Sequence, residues 1–111
     1  MESSRSSQKQ KSTLSGVGSI RYHKFFKHQI RKLPREVQKR ILAAIVEYHE
    51  TGRGDVQKVM GELERLRVGD YRVFQGWVEG EFRVVGVFHR RFEYAQYILR
   101  ATLERLRHFK E

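Results

Sequence analysis

Residues 63–88 read LERLRVGDYRVFQGWVEGEFRVVGVF, and their pattern identifies the central sheet of the protein. In its first six residues, Leu63, Arg65 and Arg67 point to one side of an extended chain, and the residues between them point to the other. Gly69-Asp70 and Glu79-Gly80 are two-residue turns of the kind that join antiparallel strands. The sequence therefore predicts three consecutive antiparallel strands at 63–68, 71–78 and 82–88.

Two amphipathic helices are predicted ahead of this sheet. Phe26, Ile30 and Leu33 recur at helical spacing in the first helix. Pro34 ends it and can begin the second helix, which is expected to reach about residue 50. The apolar stripe of the second helix is Val37, Ile41, Ala44, Ile45 and Tyr48. Because the connection is short, we expect an antiparallel helix hairpin that covers one face of the sheet and leaves the other open.

The two ends of the chain have different compositions. Residues 1–18 contain six Ser and no aromatic residue, which is typical of a flexible tail, so we expect a single domain over 19–111. Residues 19–22 are a short extended candidate. A last helix is predicted over 93–109, with Ala95, Leu99, Leu103 and Leu106 along one side.

The composition limits what the 111-residue chain can do. Its 23 Lys and Arg against 13 Asp and Glu give a net charge of +10, which favours a polyanionic partner. The absence of cysteine excludes disulfides, thiolate catalysis and cysteine-ligated zinc. The histidines lack metal-site spacing, so we expect neither a metal nor another cofactor. No apolar run suits a membrane span or a signal peptide, so we expect a soluble cytoplasmic protein.

Arginines recur on or just after the predicted strands, at Arg65, Arg67, Arg72, Arg83 and Arg90. Neighbouring strands lie about 4.8 Å apart, so guanidinium groups on adjacent strands can converge on one phosphodiester. The alternative is a solvated sheet face on which the arginines pair with Glu64, Glu79 and Glu81. Spacing alone does not separate the two interpretations.

Four segments favour the phosphate-binding interpretation over the solvated face: KLPREVQKRIL at 32–42, GRGDVQKV at 52–59, LRVGDYRV at 66–73 and VFHRRFEY at 87–94. In this order, from about Ile20 to Tyr94, the chain resembles the RelE/ParE superfamily of bacterial and archaeal type II toxins. The resemblance implies an α+β fold related to microbial ribonucleases, with an N-terminal helix hairpin packed on a small antiparallel sheet and a C-terminal helix.

The resemblance also implies a toxin restrained by a cognate antitoxin. RelE-like members of the superfamily cleave mRNA in the ribosomal A site, and ParE-like members inhibit DNA gyrase without being nucleases. A third possibility is a member that has lost catalysis and only binds nucleic acid. Arg72, Arg90 and Tyr94 are retained here, which favours a ribosome-dependent, metal-independent mRNA endonuclease.

The RelE pattern assigns catalytic positions to Arg65, Arg72, Arg90 and Tyr94 of this chain. The residues expected to bind RNA around them are Arg67, Lys58, Arg91, Arg83, Lys32 and Arg35. One departure is Leu63, which stands at a position that is usually basic. Arg67 and Lys58 are the obvious substitutes for the missing cation.

Cleavage of RNA by its own 2′-OH suits these residue types. Arginine is always charged and bidentate toward phosphate, so Arg72 and Arg90 are expected to stabilise the charge that develops on phosphorus. Tyr94 could stack on a base or move a proton, or be a core aromatic. His89 is the rival for proton transfer, but strand alternation places it opposite to Arg90, facing the helices.

Overall fold

The structure, a computed structural model, describes residues 19–92 and 95–110. Its elements are β1 (Ile20–Tyr22), α1 (Lys24–Ile30), α2 (Arg35–Thr51), β2 (Asp55–Met60), β3 (Leu63–Val68), β4 (Tyr71–Val78), β5 (Glu81–His89) and α3 (Gln96–Arg107). The predicted α+β class is confirmed. The predicted tail at 1–18 lies outside the described residues, as do Glu93 and Tyr94 at the predicted start of the last helix.

The sheet has five strands in the order β1-β5-β4-β3-β2. The three predicted antiparallel strands are confirmed as β3, β4 and β5, and β1 joins the far edge parallel to β5. At the second predicted turn, Glu79 and Gly80 have φ angles of 52° and 79°, as a tight β-hairpin turn requires. Glu79 therefore adopts a positive φ, which is uncommon for a residue other than glycine.

One strand was not predicted from the sequence. β2 pairs antiparallel with β3, with Asp55 opposite Arg67 and Met60 opposite Leu63. Three of its six side chains are exposed and polar, and its apolar residues, Val56, Val59 and Met60, are only partly buried, which suits an edge strand. Its apolar residues do not alternate with a period of two, because Val56 packs towards one core and Val59 and Met60 towards the other, so the sequence pattern does not predict a strand here.

The core on one side of the sheet is formed with α1 and α2, and we call this side the α2 face. Ile41 and Ile45 of α2 are fully buried there against Val73 and other sheet residues. The first helix is shorter than predicted, because it ends at Ile30 rather than at Leu33. A residue before proline disfavours helical geometry, and Leu33 packs on the core from the connection instead. The antiparallel hairpin of the two helices stays a prediction.

The opposite side, which we call the α3 face, is not open along its whole length as expected. Leu103 and Leu106 of α3 pack there on Leu63 and Phe74 in a second core. A Cβ on Gly76 would lie 2.8 Å from the Leu106 side chain, so glycine allows this close approach. The expectation of a free face is therefore wrong for the half of the sheet beneath α3. None of the three described helices is long and apolar enough to cross a membrane.

Candidate nucleic-acid interface

Three predicted site residues lie on the α3 face because of strand alternation. Leu63 and Phe74 mark this face through their contact with α3. Arg65 and Arg67 follow Leu63 at steps of two along β3, and Arg72 precedes Phe74 by two on β4. Arg67 is directly opposite Arg72 in the antiparallel register. These arginines therefore share the end of the face that is nearer the β3–β4 turn.

The Gly69-Asp70 turn fixes two guanidinium groups at this end. Arg72 donates through Nη1 to the carbonyl oxygens of Gly69 and Tyr71, at 2.9 and 3.0 Å. The backbone N–H of Arg90 donates to the Asp70 carbonyl at 2.6 Å, and its Nε lies 3.2 Å from the Asp70 carboxylate. We call Arg65, Arg67, Arg72 and Arg90 the arginine cluster.

The arginine cluster has an excess of positive charge. Its carboxylate contacts are Asp55, 3.8 Å from Arg67, and Asp70 beside Arg90. Counted over the residues that the structure describes, four guanidinium groups against these two carboxylates leave a net charge of +2. Both ion pairs are more than half exposed, and such pairs contribute little to stability. The cluster can therefore exchange these carboxylates for a phosphate, which a guanidinium binds bidentately.

Aromatic rings lie beside the cluster on the same face. Phe88 is opposite Arg72, and Phe74 is opposite Arg65. The two phenyl rings form an edge-on pair with centroids 5.7 Å apart. Arg65 is held at the outer side by a 2.5 Å hydrogen bond to Gln57 Oε1 on the edge strand. The arginines thus lie next to a pair of phenyl rings, of which Phe74 belongs to the core beneath α3.

Arg83 is on the α3 face but outside the cluster. It belongs to the half of β5 beneath α3, where its Nη1 donates to the Leu106 carbonyl at 2.8 Å and to the Arg107 carbonyl at 3.3 Å. Its Nε hydrogen bond to Glu81 lowers the pKa of that carboxyl. The side chain is 13% exposed. It caps the last turn of α3, and the structure does not bring it together with the other arginines.

Three predicted RNA-binding residues lie outside the arginine cluster. Lys58 is opposite Glu64, on the α2 face, and its ammonium is 3.9 Å from that carboxylate. Lys32 lies in the exposed connection between α1 and α2, and Arg35 is the exposed first residue of α2. Of these three cations, Lys58 is separated from the arginine cluster by the sheet.

The remaining predicted residues follow β5. Arg91 is exposed next to Arg90, with its guanidinium carbon 5.7 Å from the centroid of the Phe92 ring. Tyr94, the predicted catalytic tyrosine, lies outside the described residues. His89 is on the α2 face, as alternation predicts, with its ring 5.3 Å from that of Tyr71 in an edge-on arrangement.

Leu63, the departure from the RelE pattern, has a structural explanation. It is fully buried in the core beneath α3, together with Leu103. A lysine or arginine at this position would need to be paired or to displace the helix. Here a packed apolar residue replaces a cation because α3 covers it.

Sequence reasoning missed one cation at the turn. The Arg40 guanidinium, from α2, lies against Gly69: a Cβ on that glycine would be 2.6 Å from Arg40 Nη2. In the sequence Arg40 is one of many polar residues on an amphipathic helix. Its position depends on how α2 packs against a turn about 30 residues later, which helical periodicity does not encode. Within residues 19–92 and 95–110, no three acidic or histidine side chains are grouped as metal ligands.

Comparison with known proteins supports the architecture. No protein-family model and no curated protein matches the chain. Among solved structures, the RelE–RelB complex from Pyrococcus horikoshii OT3 matches with a TM-score of 0.59 and 23% identity, over 70% of this chain and 100% of that one. The RelB–RelE antitoxin–toxin complex from Methanococcus jannaschii matches with a TM-score of 0.56 and 23% identity, over 64% and 91%. The chain therefore has a RelE-like fold.

Proposed function

We propose that this chain is the toxin of a type II toxin–antitoxin system and an RNA endonuclease that acts on mRNA in the ribosomal A site. The observation that carries the proposal is the arginine cluster at the exposed end of the α3 face. Arg67 and Arg72 are directly opposite each other there, and Arg72 and Arg90 are attached to one turn. The RelE-like fold supports the same function, since the matching structures are RelE–RelB complexes.

The proposed reaction needs no metal. The RNA 2′-oxygen attacks the adjacent phosphorus, the bond from phosphorus to the 5′-oxygen breaks, and the product is a cyclic 2′,3′-phosphate. Negative charge grows on the phosphoryl oxygens during this step. Arg72 is held by Nη1 and keeps N–H donors on Nε and Nη2, so it presents a preorganised donor set to that charge.

The proton transfers are assigned to Tyr94 in this proposal. It follows Arg90 by four residues in the sequence, and a cation beside a tyrosine favours the phenolate form. Stacking on a base is its alternative role. His89 is a weaker candidate because its ring packs on Tyr71 on the α2 face, away from the arginine cluster.

The partners follow from charge and from the matching complexes. We propose a cognate antitoxin, because the matching structures hold RelE with RelB. The net charge of +10 suits both an acidic antitoxin segment and ribosomal RNA phosphates. Lys32 and Arg35 are exposed in the α1–α2 connection and at the start of α2, and we assign them to contacts with the ribosome. The site of action is then the cytoplasm.

Primer extension on a translated message, with and without ribosomes, tests the proposal. We expect new 3′ ends only when ribosomes, message and wild-type protein are all present, and none with Arg72→Ala. Equal cutting of ribosome-free RNA would indicate a free ribonuclease instead. Inhibition of DNA gyrase without any RNA cleavage would favour a ParE-like activity, and RNA binding without either would favour a member that has lost catalysis.

A further inference from the structure

Arg40 approaches the β3–β4 turn from the side opposite to Arg72. It is an exposed residue of α2, next to the fully buried Ile41, and its guanidinium lies over the backbone of Gly69. Arg72 donates to the carbonyl oxygen of that same glycine from the α3 face. The turn therefore has a guanidinium group on each side of it.

The donors of Arg40 are not used within the part of the chain that the structure describes. No described residue forms a hydrogen bond or an ion pair with it, whereas Arg67 and Arg90 both have carboxylate contacts. A guanidinium has five N–H donors and stays charged at all relevant pH values. Arg40 is thus a cation directed at the edge of the cluster and available to an anion.

We propose that Arg40 binds a backbone phosphate of the RNA one nucleotide beyond the phosphate held by the arginine cluster. The strand then runs from the α3 face over the Gly69-Asp70 turn onto the side of α2. Gly69 is part of this site, because a side chain there would occupy the position of the Arg40 guanidinium. The inference rests on the proposed function insofar as RNA is the ligand of the cluster.

The test uses a 2′-O-methyl oligonucleotide of about ten nucleotides, which the proposed reaction cannot cleave. Its affinity is measured by fluorescence anisotropy between about 50 and 200 mM NaCl. Each phosphate contact to a single strand contributes about 0.7 to the slope of log K against log salt. We expect Arg40→Gln to reduce the magnitude of this slope by about 0.7. If the variant and the wild-type protein bind equally well near 1 M salt, this change corresponds to about eightfold weaker binding by the variant at 50 mM salt.

Two further variants isolate the position. Lys39→Gln removes the same charge from the adjacent exposed residue of α2, and we expect the wild-type slope. Gly69→Asn introduces a side chain at the place of the Arg40 guanidinium, and asparagine is one of the residues that tolerate the φ of +57° at this position. We expect it to lower the slope as Arg40→Gln does, with no further loss in the double variant. Arg40→Lys, which retains the charge, is expected to keep most of the slope.

An unchanged slope in Arg40→Gln, or equal losses in Arg40→Gln and Lys39→Gln, would overturn the inference. Absence of measurable oligonucleotide binding by the wild-type protein at 50 mM salt would also overturn it. The proposed function is tested separately by cleavage of translated mRNA. Cleavage with an unchanged slope would refute only the role of Arg40, and a reduced slope without cleavage would refute only the nuclease.

Discussion

Arg67 and Arg72 are directly opposite each other on neighbouring antiparallel strands and on the same face of the sheet. Side chains in this relationship have Cβ atoms about 4.5–5.5 Å apart, and like charges placed so are destabilising. Asp55 lies 3.8 Å from Arg67 but is itself mostly exposed, so it relieves little of the repulsion. The pair weakens the free protein and favours the binding of an anion between the strands.

We therefore expect Arg67→Gln to stabilise the free protein by about 0.2–1 kcal/mol while weakening RNA binding. Thermal unfolding at low salt measures the gain, which screening should reduce as salt is raised. Arg53→Gln is the matched control, because Arg53 is an exposed arginine whose carboxylate contact, Glu47, is also at 3.8 Å. A lower melting temperature for Arg67→Gln than for wild type would contradict the argument.

Arg72→Ala and Arg90→Ala should each reduce toxicity and RNA cleavage by about 100-fold or more, since each removes a preorganised donor from the proposed transition state. Neither side chain is in the apolar cores, so the variants should fold. Growth arrest on expression and circular dichroism are the two readouts. Arg31→Ala, an exposed arginine beyond the end of α1, is expected to behave as wild type. Two folded and fully toxic variants would refute the catalytic assignment.

Much of this fold could be predicted because its signals are local. Period-two alternation and two tight turns identify β3, β4 and β5, and the stripe from Val37 to Tyr48 identifies α2. The edge strand β2 divides its apolar residues between the two faces, Val56 on one and Val59 on the other, and so gives no period-two signal. The packing of α3 on the sheet is a long-range contact that depends on Gly76, and no local pattern shows it.

For the candidate site, the sequence likewise predicts what depends on local alternation and not what depends on tertiary packing. Alternation shows which face an arginine takes, and it correctly groups Arg65, Arg67 and Arg72. It does not show which half of that face a neighbouring helix covers, so alternation alone groups Arg83 with them although Arg83 caps α3. Arg40 reaches the turn from another element, which only the tertiary structure reveals.

A pH dependence is expected from His23, the buried residue that caps the N-terminus of α1. Its Nδ1 accepts a hydrogen bond from the Phe25 N–H at 2.9 Å. Burial, followed by the positive charges of Arg105, Lys24 and Lys110, lowers the pKa of this imidazole. The unfolded chain therefore takes up the proton first as the pH falls below about 6.5, and stability is lost from there towards the lower folded pKa.

Melting temperatures from about pH 7 to pH 5 test this expectation. His23→Asn keeps a side chain that can accept the Phe25 N–H but does not titrate, so its stability should change less over this range. Glu62 and Glu81 have lowered pKa values, so their contributions are lost below about pH 4.5 and do not interfere. Parallel curves for wild type and His23→Asn would exclude the role of His23.

The two ends of α3 are held differently, and this difference bears on how an antitoxin could act. At the C-terminal end, Leu103 and Leu106 are buried, and Arg83 donates to the last carbonyls of the helix. Arg107 forms an ion pair of 2.9 Å with Glu62. At the N-terminal end, Ala95 provides no side-chain cap, and the first turn contains no acidic residue.

We therefore predict that amide hydrogen exchange is at least about tenfold faster over residues 98–101 than over 104–107 in the free protein. Arg83→Ala should extend fast exchange into the second segment, because the last carbonyls lose their charged donor, and Arg100→Ala, at an exposed position, should not. On addition of the antitoxin, exchange should change in the first segment and stay constant in β4, the internal control. If both segments are as protected as β4 and unaltered in the complex, the antitoxin acts by covering the arginine cluster, and displacement of α3 plays no part.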